Sequence, residues 1–221
     1  MSAGMSGEAA SRKSSKVPRL VVMASGRGSN LQAIIDAIEA GRLTAEIVLV
    51  LSHRPDAQAL ERARRHGIPA EAIDYRQVGD KAAYYQMVQE RLDEIQPDLI
   101  VLAGYMRILP PDFVQRYPWR IVNIHPSLLP AFPGLNAQRQ ALAYGVKVAG
   151  CTVHFVDEGM DSGPIIAQAA VPVYEDDTEE SLAARILAEE HRLFPEAIAQ
   201  VLAGKFTVQG RRVILNPPQE R

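Results

Sequence analysis

This sequence has few of the features that mark secreted, membrane-bound or metal-dependent proteins. Its single cysteine, Cys151, excludes an internal disulfide and fits a reducing compartment. No apolar run approaches the roughly 20 residues that cross a bilayer, and a net charge of -2 argues against a broad nucleic-acid footprint. The 5 histidines are too scattered to form a metal-ligand cluster. We therefore expect a cytoplasmic protein that uses no metal and binds neither membrane nor nucleic acid.

Length and composition predict one globular domain behind a short leader. The chain has 221 residues, of which 47% are apolar and 23% charged, as in soluble proteins of one domain. Residues 1–16 are small, polar and basic and lack the apolar segment of a secretory signal, so we interpret them as a disordered leader. A mitochondrial presequence is the alternative. Residues 17–221 are expected to form the domain, with halves of about 17–118 and 119–208 and a small terminal hairpin to 221.

Apolar runs alternate with helical patterns through the first half of the chain. Such alternation is typical of βαβ units with right-handed crossovers around a parallel sheet. It predicts an α/β protein with a doubly wound, mostly parallel, Rossmann-like sheet. The predicted strands cover residues 19–24, 46–52, 70–74 and 99–103, and the helices between them cover about 31–40, 57–66 and 80–95.

The second half has a different pattern. Residues 149–157 and 165–173 are two β runs joined by a glycine-bearing loop, which predicts an antiparallel portion of the sheet. A long helix over 178–202 opens with Thr178 as its N-cap, and Pro195 should kink or break it. Two short strand candidates around Gly210 predict the terminal hairpin.

A loop with two glycines, residues 25–30 (SGRGSN), lies between the first strand and the first helix, and we call it the glycine loop. Gly26 and Gly28 would let backbone N–H groups approach an anion, which the dipole of the following helix also favours. The motif is not a Walker A loop, and Leu31 occupies the third glycine position of a dinucleotide fingerprint. The loop predicts a phosphate site, with a tight turn that needs glycine only for its backbone angles as the alternative.

Two polar side chains interrupt a predicted strand near the middle of the chain. Asn123 and His125 are two residues apart, which places both side chains on one face of a strand. Pro126 and Pro130 then end the strand, because proline donates no backbone hydrogen bond. The pair should therefore border the crevice at the carboxyl ends of the strands, where open α/β sheets bind ligands. Asp161, in a glycine-flanked turn, is the candidate carboxylate partner of His125.

These residue types suit acyl transfer. A carboxylate favours the imidazolium form of a histidine, which can stabilise or protonate an oxyanion while an amide supplies a second hydrogen bond. No nucleophile is recognisable, since Ser127 lacks the Gly-x-Ser-x-Gly surroundings and Cys151 falls in a strand. Arg107, in a loop at the same sheet edge, would either hold a ligand carboxylate or lie solvated at the surface. We predict direct acyl transfer between two bound substrates, one of them phosphorylated.

Four segments together resemble the phosphoribosylglycinamide formyltransferase family, the folate-dependent enzymes of purine synthesis. The resemblance covers about residues 17–208, and the order of the segments makes it specific. They are residues 25–32 (SGRGSNLQ), 103–109 (AGYMRIL), 123–130 (NIHPSLLP) and 161–164 (DSGP). The resemblance implies the Rossmann-like formyltransferase fold. It also implies an enzyme in which the amine of glycinamide ribonucleotide attacks the formyl carbon of 10-formyltetrahydrofolate, a co-substrate.

The same resemblance implies roles for individual residues. Asn123 and His125 would stabilise the tetrahedral oxyanion, and His125 would donate a proton. Asp161 would favour the protonated form of His125 and help to relay the proton. His154 matches a family position close to the site, with a histidine of the core as the alternative. The residues implied in binding are Gly28, Ser29 and Asn30 for the substrate phosphate, Glu190 for its ribose, and Lys81, Met106, Arg107, Ile108, Leu109 and Asn123 for folate.

One position departs from the family pattern. Where the family often has Gly-Leu-His, residues 134–136 read Gly-Leu-Asn. Because that histidine is not one of the residues implied in the chemistry, we expect Asn136 to alter loop contacts without loss of activity.

Four alternatives remain at the level of sequence. A methionyl-tRNA formyltransferase should carry a C-terminal RNA-binding domain, and a formyltetrahydrofolate hydrolase should carry an N-terminal regulatory domain and needs no phosphate loop. A sugar-amine formyltransferase would bind a nucleotide-sugar, whereas the glycine loop favours a monophosphate. A non-catalytic ligand-binding domain would bind without forming product. If the chain is a phosphoribosylglycinamide formyltransferase, as the resemblance implies, its partners are two small molecules and the protein is a monomer or a homodimer.

Overall fold

A computed structural model describes residues 16–215, which contain nine strands and seven helices. Residues 1–15 of the expected leader and residues 216–221 of the expected hairpin segment lie outside the described residues. The strands are β1 Arg19–Met23, β2 Glu46–Ser52, β3 Ala70–Ala72, β4 Leu99–Leu102, β5 Ile121–His125, β6 Val148–Phe155, β7 Ile165–Pro172, β8 Phe206–Gln209 and β9 Arg212–Leu215. The helices are α1 Ser29–Glu39, α2 Gln58–Arg65, α3 Tyr75–Val78, α4 Lys81–Ile95, α5 Pro111–Arg116, α6 Ala137–Tyr144 and α7 Glu179–Leu202.

All nine strands join one sheet in the order β3-β2-β1-β4-β5-β6-β7-β9-β8. Strands β1 to β5 are parallel to one another, whereas β6 runs antiparallel to β5 and β7 antiparallel to β6. The predicted α/β class, with a mostly parallel sheet and an antiparallel C-terminal portion, is confirmed. The chain leaves β1 towards β2 on one side and returns as β4 on the other, so a crevice opens at their carboxyl ends.

Alternating side chains of the central strands face two separate apolar layers. Leu20 and Val22 of β1 pack with α1, α2 and α7, whereas Val21 and Met23 pack with α4 and α5. All four side chains are fully buried. A strand that is covered on both faces needs apolar side chains at every position, which is why the parallel strands are continuous apolar runs in the sequence.

The helix ends follow local sequence signals, and the interior of α7 does not. Asp80 caps α4 by accepting a hydrogen bond from the N–H of Ala83 at 2.7 Å, and Thr178 forms a capping box with Ser181 at the start of α7. A kink or a break was expected at Pro195, and the break is wrong, because α7 continues from Glu179 to Leu202. Pro195 lies in the buried face of this helix, where packing against the sheet outweighs the lost backbone bond. None of the helices described is long and apolar enough to cross a membrane.

Candidate active site

Strand β5 carries Asn123 and His125 to the crevice, two residues apart on one face. His125 is its last residue and is only 5% exposed, whereas Asn123 is half-buried. Both flanking residues, Val122 and Ile124, are buried in the apolar layer on the opposite side. The period of two therefore keeps the polar pair out of the core, as the sequence predicted.

Asp161 reaches His125 from the loop between β6 and β7. Its Oδ2 lies 3.4 Å from Nδ1 of His125 and accepts a hydrogen bond from the N–H of Gly134 at 2.7 Å. The backbone of Asp161 is left-handed, with φ 49°, a conformation that an aspartate tolerates better than most residues. Asn123, His125 and Asp161 are thus brought together, and we call them the crevice trio.

The other ring nitrogen of His125 is held by the proline-rich loop. Nε2 lies 2.8 Å from the carbonyl oxygen of Phe132, which can only accept, so Nε2 carries a hydrogen. Nδ1 then becomes a donor only when the ring takes a second proton, and that donor faces Asp161. The protonated imidazole can satisfy both partners at once, which suits a histidine that gains and releases a proton.

His154 lies beside the crevice trio on β6, directly opposite Asn123 in the antiparallel pair. Its Nε2 lies 3.2 Å from Nδ2 of Asn123 and 3.8 Å from Oδ1 of Asp161, and its Nδ1 lies 2.8 Å from the carbonyl oxygen of Phe155. The side chain is buried, and burial holds the pKa of His154 below its ordinary value. It is therefore both a core histidine and a neighbour of the site.

The glycine loop, residues 25–30, runs into the first turn of α1, and Gly28 is the N-cap of that helix. Gly28 has φ 73°, and a Cβ atom placed on it would lie 2.8 Å from both Cα and Cβ of Ala59 in α2. The close approach is fixed by a hydrogen bond from the N–H of Ala59 to the carbonyl of Gly26 at 3.0 Å. No side chain of the residues that the structure describes caps α1, which leaves its first-turn N–H groups able to bind an anion. A cleft of ≈ 410 Å³ beside the loop is lined by Ser29, Gln32, Ala33, Asp36, Arg42, Arg62 and His191.

Asn30 and Glu190 form a buried pair between α1 and α7. Nδ2 of Asn30 donates to Oε2 of Glu190 at 2.8 Å, and Glu190 is 7% exposed. Burial raises the pKa of Glu190, and the hydrogen bond from Asn30 partly opposes that rise. Because Nδ2 of Asn30 donates to Glu190 and its Oδ1 can only accept, the backbone N–H of Asn30 is the donor that remains for an anion. Through Asn30, Glu190 lies next to the glycine loop.

The loop of residues 104–109, which we call the apolar loop, forms the other wall of the crevice. Met106 and Ile108 expose 69% and 59% of their surface, whereas Leu109 is buried. Ser25 Oγ accepts a hydrogen bond from the N–H of Met106 at 2.8 Å, and the hydroxyl of Tyr85 donates to the carbonyl of Ile108 at 3.2 Å. The loop is thus anchored through its backbone while the apolar side chains of Met106 and Ile108 face outwards.

Arg107 points along the same wall and stacks on an aromatic ring. Its Cζ lies 3.2 Å from the ring centroid of Tyr75, and within residues 16–215 it forms no ion pair with a carboxylate. Burial and the charge of Arg107 lower the pKa of nearby His53. A stacked guanidinium without a carboxylate partner is well suited to an anionic ligand. Lys81, the first residue of α4, is exposed at the same edge of the sheet.

Sequence reasoning missed Tyr75, His53 and two backbone groups of the site. Tyr75 lies in α3, a helix of 4 residues that is too short for a periodic signal. Nδ1 of His53 lies 3.1 Å from the hydroxyl oxygen of Ser25, a contact between distant segments. The carbonyl of Phe132 and the N–H of Gly134 have no side-chain signature, although the proline-rich composition of their loop was the available hint.

Asn136, where the sequence departs from the family pattern, is the N-cap of α6. Its backbone is left-handed, with φ 57°, and its side chain makes no capping hydrogen bond. Asparagine and histidine both tolerate this conformation better than most residues. The substitution is therefore compatible with the local backbone.

No group of three or more His, Cys, Asp or Glu side chains within residues 16–215 is arranged to hold a metal ion. His125 and His154 each lie within 4 Å of Asp161, and each ring has a second nitrogen 2.8 Å from a backbone carbonyl oxygen.

A family model described as formyl transferase matches residues 18–198. The phosphoribosylglycinamide formyltransferase of Escherichia coli (strain K12) is 42% identical over 204 residues, 90% of this chain and 96% of that protein. The crystal structure of glycinamide ribonucleotide transformylase 1 from Symbiobacterium toebii matches with a TM-score of 0.88 and 53% identity, and covers 91% of this chain and 95% of that one. The trifunctional purine biosynthetic protein adenosine-3 of Drosophila melanogaster is 49% identical over 188 residues. The matched segment covers 84% of this chain but only 14% of that relative's length.

Proposed function

This chain belongs to the formyl transferase family, among the phosphoribosylglycinamide formyltransferases, and we propose that it transfers the formyl group of 10-formyltetrahydrofolate to the amine of 5-phosphoribosylglycinamide. The observation that carries the proposal is the crevice trio, in which Asp161 lies 3.4 Å from His125 beside the amide of Asn123. An oxyanion site next to a phosphate-binding helix end is what acyl transfer to a phosphorylated amine requires.

The reaction makes one carbon–nitrogen bond and breaks another. As the substrate amine attacks the formyl carbon, the formyl oxygen becomes an oxyanion, which Asn123 stabilises by a hydrogen bond and protonated His125 by its positive charge. The new amine nitrogen then loses a proton, and the folate nitrogen gains one as its bond to carbon breaks. We assign the proton donor role to His125 and the relay to Asp161, because Nδ1 of His125 is a donor only in the imidazolium form and faces that carboxylate.

The phosphate is assigned to the glycine loop and the first turn of α1. The backbone N–H groups of Gly28, Ser29 and Asn30 lie at the positive end of an 11-residue helix that no side chain caps. The guanidinium groups of Arg42 and Arg62 line the adjoining cleft. Glu190 would contact the ribose from the neighbouring helix α7.

Folate is assigned to the opposite wall of the crevice. The exposed apolar side chains of the apolar loop would cover the pterin ring, since Met106 and Ile108 otherwise face solvent. Arg107 and Lys81 would bind the carboxylates of the folate tail, Arg107 with its guanidinium already ordered by Tyr75. Asn123 would lie at the junction of the two substrates.

The reaction needs an unprotonated substrate amine and a protonated His125, which predicts a bell-shaped dependence of the rate on pH. The attacking amine must be neutral, so the rate rises as it loses its proton, whereas His125 must be cationic, so the rate falls as that proton is lost. The measurement is turnover across pH at saturating substrates. A rate with neither limb would contradict the acid role of His125.

The proposal extends to the setting of the enzyme. One nine-stranded sheet runs through both halves of the described chain, which supports a single domain over residues 17–221. We place the enzyme in the cytoplasm, acting on two small molecules as a monomer or homodimer. The further activities of the trifunctional relatives are not assigned to this chain, which spans 14% of such a protein.

One assay separates this function from its rivals. Purified protein is mixed with 10-formyltetrahydrofolate and either glycinamide ribonucleotide or methionyl-tRNA, and conversion of the folate is followed by absorbance. We expect rapid conversion with glycinamide ribonucleotide and none above background with methionyl-tRNA. Conversion without any acceptor would indicate a hydrolase, and binding without conversion would indicate a ligand-binding domain.

A further inference from the structure

The amide group of Asn123 has one side-chain hydrogen-bond partner within residues 16–215, His154. The two residues lie opposite each other in the antiparallel pair of β5 and β6, where facing side chains are close enough to interact. The register between β6 and β7 shifts between Val153 and His154. Such irregularities re-aim side chains in a sheet, and here the side chain concerned is the one that meets Asn123.

The hydrogen on the His154 ring can be located from its partners. The carbonyl oxygen of Phe155 lies 2.8 Å from Nδ1 and can only accept, so Nδ1 carries the hydrogen. In a neutral ring Nε2 is then an acceptor, and the Asn123 atom 3.2 Å away must be the NH2 group. An asparagine amide can turn over with little change in shape, so its partner decides which end occupies each place.

Besides burial, four groups act on the charge of His154. The carbonyl of Phe155, Asp161 and Asp157 favour its protonated form, and His125 disfavours it. Burial is the largest influence and keeps the pKa below its ordinary value, and the β7 residue paired with it, Ile165, is apolar. His154 is 2% exposed, so water does not solvate a positive charge on its ring. The neutral form is therefore the one that the site holds near neutral pH.

We propose that His154 is a positioning residue that fixes the Asn123 amide with its NH2 group at the oxyanion site, an inference that rests on the proposed function of the crevice trio. One hydrogen of Nδ2 is used by His154, and the second remains for the oxygen of the substrate. A protonated His154 would instead present a hydrogen to Asn123, which would favour the turned-over amide and withdraw the donor. His154 thus acts on the reaction only through Asn123.

Kinetics of a double-mutant cycle test this dependence. We expect His154→Leu to lower kcat by about 10- to 100-fold with less than about a threefold change in either KM, since a lost oxyanion donor costs about 10²–10³. In an Asn123→Ala background the same change should alter kcat by less than about twofold. An equal fold loss in both backgrounds would show an independent, structural role and overturn the proposal.

Two further variants guard against simple misfolding. His154→Gln places an amide oxygen near the position of Nε2, so it can accept from Asn123 and should recover most of the lost turnover. His66→Gln changes a histidine that contacts Glu39 and Gln32 away from the crevice, and should leave kcat unchanged. A glutamine variant as slow as the leucine variant, with an unchanged melting temperature, would contradict the acceptor role.

A spectroscopic readout separates this proposal from the proposed function. Long-range 15N–1H correlation spectra of the histidine rings should show His154 with a hydrogen on Nδ1 and none on Nε2 near neutral pH. The Asn123 side-chain NH2 signals should shift in His154→Leu and return towards their original position in His154→Gln. A hydrogen on Nε2 would overturn the positioning role even if formyl transfer is observed, and absent formyl transfer with the expected spectra would overturn only the proposed function.

Discussion

The glycine loop offers backbone groups that are held by close packing, whereas the crevice trio offers side chains that are held by hydrogen bonds. At the glycine loop, Gly28 lies against Ala59 with no room for a side chain. In the crevice trio, Asp161 is linked to the N–H of Gly134 and to His125, and Asn123 to His154. The two sites should therefore respond to different kinds of mutation.

This contrast separates binding from chemistry. A backbone anion site is altered only by changes in conformation, so most side-chain replacements around it should be tolerated. A site of side chains keeps its backbone when one of them is replaced, yet loses the group that acts in the transition state. Mutations at the glycine loop should therefore affect stability and KM, and mutations in the crevice trio should affect kcat.

The largest effect is expected from the crevice trio. His125→Ala and Asp161→Ala should each lower kcat by about 10²–10⁴-fold, the usual contribution of general acid–base catalysis, with modest changes in KM. Steady-state kinetics with both substrates measure this, and His66→Ala is the matched surface control. Raised KM values with unchanged kcat would assign the two residues to binding and remove the contrast.

Gly28→Ala should affect the opposite properties. Alanine at φ 73° costs about 1–2 kcal/mol, and the contact of its Cβ with Ala59 adds about 1–3 kcal/mol, so the free energy of unfolding should fall by about 2–5 kcal/mol. The KM for the phosphorylated substrate should rise more than that for folate. Chemical denaturation and kinetics measure both. Gly26→Ala is the matched control, since no atom of the described part of the chain lies within 4 Å of its Cβ position, and it should change stability by less than about 0.5 kcal/mol.

Glu190→Gln tests the link between the glycine loop and α7. Burial raises the pKa of Glu190 above 4.5, its value in the unfolded chain. Between that value and the folded pKa the folded state binds more protons than the unfolded state, so the free energy of unfolding falls as pH rises. Glutamine avoids this loss, keeps an acceptor for Asn30, and brings a donor near the buried Oδ1 of Asn30, which has no partner among residues 16–215.

Melting temperatures of Glu190→Gln should equal those of the wild type near pH 4 and exceed them by roughly 2–4 °C at pH 7, the shift that about 1 kcal/mol produces in a protein of this size. The KM for the phosphorylated substrate should rise at the same time if Glu190 contacts the ribose. A difference in melting temperature that shrinks with rising pH would contradict the assigned sign.

The smallest effect is expected at Asn136. Asn136→His restores the residue common in the family and keeps a side chain that tolerates φ 57°, so kcat should stay within about twofold. Asn136→Ile is the contrasting variant, since a β-branched residue in this conformation should cost about 1–2 kcal/mol of stability. A large kinetic change in the histidine variant would show that this cap takes part in the reaction.

The sequence predicted what depends on short-range pattern. The strand of Asn123 and His125 was evident because apolar residues flank both and Pro126 follows. The pairing of Asn30 with Glu190 was not, because 160 residues separate them and nothing local connects the two. The bond from Gly134 to Asp161 was likewise unpredictable, since any residue but proline has an N–H and only the folded loop aims it.

The same limit explains the error at Pro195. Local rules assign a break to proline within a helix, yet the face of α7 that carries Phe194, Pro195 and Ile198 is buried against the sheet. Burial of that face is a tertiary effect and cannot be read from a window of neighbouring residues. The fold class, by contrast, rests on many independent segments, so one wrong boundary does not change it.

The packing of the glycine loop on α2 has an electrostatic consequence. Helices α1 and α2 follow adjacent parallel strands, and the bond from Ala59 to Gly26 brings their first turns together at one entrance. Arg62 adds a guanidinium there, bonded to the carbonyl of Arg27 at 2.6 Å. Although the net charge of the chain is -2, this entrance is thus locally positive and attracts anions. Because ions screen this attraction over about 8 Å at physiological strength, added salt should slow the arrival of a phosphorylated molecule more than it hastens its departure.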